Sequence, residues 1–226
     1  MAESPGGSLA TRPLHFFWLA DCSGSMAAGG KIQALNNAIR ETIPHLRDVA
    51  AENPYAEMLV RCAAFSTGAR WHMRTTPVDA LEWMELKSEG FTDLGAALDL
   101  VAAELRVPPM PERALPPAMV LISDGQPTDD FESALEDLLA LPWGMRAVRL
   151  AVAIGHDADL GVLEQFIARD DVRPLTANNP EQLVGMIRWA STVASRLASE
   201  PMSHASEELA VPIPEARIRD DADVIW

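Results

Sequence analysis

Asp21, Ser23 and Ser25 occupy alternate positions of one short segment, while Thr92 and Asp124 stand on two later ones. Two carboxylates and three hydroxyls offer oxygen donors only, the set that hard divalent cations prefer. A magnesium-sized ion wants near-octahedral oxygen coordination and usually keeps waters, so hydroxyls bind it directly while carboxylates hold those waters. With few anionic ligands the ion stays electron-poor, and it retains affinity for one more carboxylate supplied from outside. Taken one loop at a time, each group also has a local explanation. Ser23 and Ser25 could cap the helix that follows them, Thr92 or Asp93 the next one, and Asp124-Gly125 is a turn pair.

The elements that must bring these loops together are readable from periodicity. Residues 13–20 (PLHFFWLA) are nearly all apolar, as in a strand buried on both faces, and the run ends at Asp21. Ile32, Leu35, Ala38, Ile39, Ile43 and Leu46 then recur at helical spacing to about residue 50. Residues 58–65 and 69–74 read as a hairpin around Ser66-Thr67-Gly68. Residues 94–105 are helical in pattern, and the proline-rich stretch 108–117 is loop. Residues 118–123 (AMVLIS) repeat the buried-strand pattern and end at Asp124. A helix over 131–141, a strand over 147–154, a short helix over 160–168, a weak strand over 172–175 and a long helix over 180–198 complete the series. Such alternation predicts a doubly wound α/β fold with a mostly parallel sheet, one antiparallel edge strand and helices on both faces. Sheets of this kind bind ligands outside the carboxyl ends of their strands where the strand order reverses, which is where the Asp21 and Asp124 loops belong.

Composition narrows the function classes. The 226 residues suffice for one sizeable core, read as a flexible N-terminus over 1–12, a domain over 13–200 and an acidic, proline-containing tail over 201–226. The tail is either disordered or docks through Ile213, Ile218, Val224, Ile225 and Trp226. A net charge of -15 repels phosphate backbones and anionic lipid, so neither nucleic acid nor membrane is expected as a partner. No signal peptide is visible, and no apolar run reaches the roughly 18 residues of a membrane span, so a cytoplasmic location is expected. Cys22 and Cys62 read as buried thiols in a reducing compartment. Asp129, Asp130 and Glu132 read as helix-start residues, or as a rim that selects a partner with basic neighbours beside its ligand carboxylate.

An enzyme reading competes: the strand, glycine-bearing loop, Lys31 and helix at 21–32 follow one another as in a nucleotide or phosphate hydrolase. That motif needs glycine at position 25 and Ser or Thr at position 32, where Ser25 and Ile32 stand. A phosphatase nucleophile at Asp21 would want a second carboxylate at position 23, and a Ser23 or Cys22 hydrolase would need an oriented base. The histidines at 15, 45, 72, 156 and 204 are scattered, with His15 and His72 on predicted strands.

Asp21-Cys22-Ser23-Gly24-Ser25, Thr92 in Gly90-Phe91-Thr92-Asp93, and Asp124 in Ile122-Ser123-Asp124-Gly125 resemble the metal-ion-dependent adhesion site of von Willebrand factor A (vWA) domains. The order and spacing of the motifs agree over about residues 13–198. The resemblance implies a Rossmann-like vWA fold, a divalent cation held by Asp21, Ser23, Ser25, Thr92 and Asp124, and a protein partner that supplies a Glu or Asp carboxylate. It implies adhesion rather than catalysis. The ion expected is Mg2+, with Mn2+ or Ca2+ as alternatives. Ser23-Gly24-Ser25-Met26, Asn36-Asn37, the run 92–98 and the run 123–130 look most like the bacterial TerY-like proteins associated with tellurium resistance. Relatives of that kind stand beside a protein kinase and a PP2C-type phosphatase, which implies a stress-response or defence complex.

Overall fold

The computed structural model describes residues 11–199 apart from 125 and 157. The tail over 201–226 and most of the segment over 1–12 lie outside the described residues. Arg12 already belongs to the first strand, its guanidinium donating to the Arg113 and Ala114 carbonyls at 3.0 and 2.8 Å.

β1 (Arg12–Asp21) is the centre of a six-stranded sheet and is buried on both faces, which is why its sequence shows no polar alternation. It is followed by a 3-10 segment, Gly24–Gly30, and then by α1 (Lys31–Glu52). β2 (Ala56–Ser66) runs parallel to β1, and β3 (Gly68–Pro77) folds back antiparallel at the edge. An irregular segment over 81–93 leads to α2 (Leu94–Leu105). β4 (Ala118–Ser123), α3 (Phe131–Ala140), α4 (Pro142–Arg146), β5 (Val148–Ile154), α5 (Leu160–Ile167), β6 (Leu175–Ala177) and α6 (Pro180–Ser199) complete the order. The strands lie β3-β2-β1-β4-β5-β6, so the order reverses between β1 and β4. Asp21 ends β1, and Asp124 follows the last residue of β4.

Two cores result. Leu14, Phe16, Trp18 and Ala20 point to α1 and α6, whereas Phe17 and Leu19 point to α2, α3 and α5. The Trp18 indole donates to Ser191 Oγ at 3.1 Å, fixing α6 on the sheet from inside the first core.

Three differences from the sequence reading have local causes. β6 starts at Leu175 rather than near Val172, because Pro174 has no N–H to donate and pairing with β5 begins at Val152 opposite Leu175. α4 is too short for periodicity to reveal. The Gly24–Gly30 turn intervenes before α1, with Gly29 and Gly30 at φ +58° and +76°.

Below the site, His15 is buried and its Nδ1 lies 2.6 Å from Arg61 Nη1. Arg61 also donates to Glu104 at 3.0 Å and stands over the Phe17 ring. Burial, helped by the Arg61 charge, pushes the His15 pKa down to about 4. The unfolded chain therefore binds a proton that the fold refuses between about pH 6.5 and 4, so the imidazole's contribution is present at neutral pH and is lost as pH falls through that window. Urea unfolding should show wild type losing about 2–3 kcal/mol more than His15→Gln between pH 7 and pH 4, the glutamine being a neutral acceptor throughout.

Candidate metal centre

Asp21 is fully buried, and its carboxylate is held on both oxygens. Oδ1 accepts from the Ser23 amide at 2.8 Å and Oδ2 from the Ser123 hydroxyl at 2.6 Å. Burial raises its pKa and the neighbouring Asp124 charge adds to the rise, against the hydrogen bonds from Ser123 and Ser23. Ser23 Oγ lies 2.9 Å from Ser25 Oγ, so the two hydroxyls predicted to act together do meet. Neither caps α1, whose N-cap is the left-handed Gly30. Ser123 was not among the predicted donors; its signal was its place beside Asp124 at the end of a central strand.

The Thr92 loop is drawn over this cluster by backbone contacts. Gly24 N–H donates to the Gly90 carbonyl at 3.0 Å, and Glu89 N–H to the Cys22 carbonyl at 2.7 Å. Gly90 has φ +76°, and a Cβ there would collide with Thr67 Oγ1, so the close approach of loops requires glycine. Thr92 and Asp124 are both buried, at 7% and 6% exposure. The Asp124 backbone carbonyl accepts from the Asp159 amide at 2.9 Å.

The acidic residues around the loops have more particular partners than helix-start placement suggested. Asp93 sits at the N-cap of α2 but does not cap it; its carboxylate accepts from Gly68 N–H at 2.7 Å and from Thr128 Oγ1 at 2.9 Å. The start of α2 is held instead by Asp129, which accepts from the Gly95 and Ala96 amides at 2.9 and 2.8 Å. Asp130 does cap its own helix, α3, through Ser133 N–H at 3.2 Å.

These donors suit an oxygen-bound divalent cation. Among the described residues no group of three or more His, Cys, Asp or Glu side chains stands together, so a nitrogen- or thiolate-rich zinc site and a carboxylate cage are both absent there. What converges is a pair of buried carboxylates, with the Ser123 hydroxyl on Asp21 and the Ser23 and Ser25 hydroxyls meeting each other in the same loop. The nucleophile reading of Cys22 loses ground, since burial pushes its thiol up to about 12 and a protonated thiol is a poor nucleophile. His15 and His72 are engaged by Arg61 and the Met84 carbonyl respectively.

A doubly wound sheet binds its ligands at the switch point, which is where these hydroxyls and carboxylates stand. The fold is that of von Willebrand factor A domains. VWA2, the ArnB paralog of Sulfolobus acidocaldarius, superposes with a TM-score of 0.59 at 17% identity, over 79% of this chain and 45% of that one. The von Willebrand factor type A protein of Catenulispora acidiphila gives 0.59 and 17%, over 82% and 43%. Proximal thread matrix protein 1 of the mussel byssus, in a structure with a zinc-occupied MIDAS motif, gives 0.59 and 17%, over 83% and 46%. The chain thus spans less than half the length of these relatives. No protein-family model matches it, and no curated protein is similar to it in sequence. No helix among the described residues is long and apolar enough to cross a membrane.

Proposed function

We propose that this chain is a metal-dependent protein-binding domain in which Asp21, Ser23, Ser25, Thr92 and Asp124 hold a divalent cation. The observation that carries the reading is the meeting of two buried carboxylates and the Ser23–Ser25 hydroxyl pair where the strand order reverses. The zinc-occupied MIDAS of a protein with the same fold supports it. An all-oxygen donor set favours a hard ion, Mg2+ before Mn2+ or Ca2+. The bound cation would act as a Lewis acid that takes a Glu or Asp carboxylate from a partner protein. Asp21 would orient the hydroxyls through the Ser23 amide, and Ser123 would hold Asp21 in place. The role is adhesion, not catalysis, in the cytoplasm of a bacterium. A TerY-like place beside a protein kinase and a PP2C-type phosphatase is the setting we favour for it, in a stress-response or defence complex, with neither nucleic acid nor membrane as partner.

The test is capture of partners from cell extract on the immobilised chain. A partner retained in Mg2+ should be released by chelator and should not be retained by Asp21→Ala or Thr92→Ala. Retention indifferent to both treatments would move the interface elsewhere and defeat the reading.

A further inference from the structure

Thr92 and Asp124 belong to loops separated by α2 and β4, yet a cation they share requires them to keep a fixed spacing. The contacts that set this spacing converge on one side chain. Thr128, four residues beyond Asp124, donates its amide to the Thr92 carbonyl at 2.9 Å. Its hydroxyl oxygen accepts from the Thr92 amide at 3.0 Å and donates its proton to Asp93 Oδ1 at 2.9 Å. Thr92 is therefore held on both its backbone polar groups by a residue of the Asp124 segment. The same Asp93 carboxylate reaches the Gly68 amide, and Asp129 holds the start of α2. The Thr128 hydroxyl is thus the shared node of the β2–β3 turn, the Thr92 loop and the Asp124 segment.

We infer that Thr128 is a positioning residue for the metal centre: through its hydroxyl it sets where Thr92 stands relative to Asp124. This deepens the metal-dependent reading and rests on it. Groups that orient metal ligands without touching the ion typically change metal affinity by about 10- to 100-fold when removed. The Thr128 side chain is exposed, so Thr128→Val creates no cavity, preserves the β-branched shape and keeps the backbone bond to the Thr92 carbonyl. Only the hydroxyl is lost. Thr128→Ser restores it.

Two readouts on the full chain test the inference. In metal-free protein, amide hydrogen exchange at Thr92 should accelerate at least about tenfold in Thr128→Val, with amides of α1 such as Ile39 unchanged. In titrations with Mn2+ alone, the same variant should bind about tenfold more weakly, and Thr128→Ser should return both quantities to within about threefold of wild type. Faster exchange without weaker Mn2+ binding would overturn the inference. So would a loss that serine fails to restore, or no change in either quantity. A wild-type chain that takes up no Mn2+ yet shows the exchange difference would sink the metal reading, while supporting the placement of Thr92 by Thr128.

Discussion

Addition of Mg2+ or Mn2+ to about one hundred times its dissociation constant should raise the unfolding free energy of the wild-type chain by about 2.7 kcal/mol. For a domain of this size that is a rise of roughly 5–10 °C in Tm. The gain follows from mass action alone, because the donors lie on segments far apart in sequence and the unfolded chain cannot assemble them. Asp21→Ala removes the gain entirely: it deletes the carboxylate that fixes the Ser23 amide and leaves Ser123 Oγ without its acceptor. Asp124→Asn separates metal loss from misfolding. It too abolishes the cation response, yet the metal-free variant should be more stable than metal-free wild type at pH 7. The cause is the Asp124 charge, which opposes ionisation of the buried Asp21 in the absence of a cation. Thermal unfolding of the three proteins with chelator and with metal measures all of this. An identical metal-induced rise in wild type and Asp21→Ala would remove the cation from this site.

The parts of the fold legible in the sequence are those whose signal is local. The uninterrupted apolar run of β1 and the helical spacing across Leu94–Leu105 both declare themselves, and the candidate donors sit at motif spacing at the ends of such elements. What the sequence concealed was how the loops are tied. Thr92 and Thr128 are 36 residues apart and Gly95 and Asp129 34 apart, and each polar group involved also has a plausible role as a nearby helix cap. Local rules assign Asp129 to the helix that follows it, but its carboxylate crosses to the start of α2 because tertiary packing brings those amides within reach. Side chains able to satisfy either a neighbouring or a distant amide are the ones a single sequence leaves undecided. Strand ends are similarly ambiguous when a proline interrupts the apolar pattern, as at Pro174 before β6.

Asn36 is the clearest case of a distant role hidden inside a regular helix, and Asn36→Leu should lower the unfolding free energy by about 3 kcal/mol in urea titration. Its side chain is buried and uses all its valences. Nδ2 donates to the Ile32 and Leu86 carbonyls, both at 3.0 Å, while Oδ1 accepts from the Leu86 amide at 2.7 Å and the Trp83 indole at 3.1 Å. Leucine has nearly the same volume, so packing is largely kept and the cost comes from stranded polar groups, each worth about 1–3 kcal/mol when buried. Asn37→Ala is the contrasting variant, since Asn37 is exposed and its side chain accepts from the exposed Arg40; it should change stability by less than about 0.5 kcal/mol. The consequence extends to the site because Asn36 anchors the irregular 81–93 segment on α1, and that segment runs on through Glu89 and Gly90 to Thr92. Metal affinity in Asn36→Leu should therefore fall as well, at temperatures where the variant remains folded. A stability loss below about 1 kcal/mol would mean that the apolar anchors Leu81 and Leu86 hold the segment without help, and the route from α1 to the Thr92 loop would then run through packing rather than through this one amide.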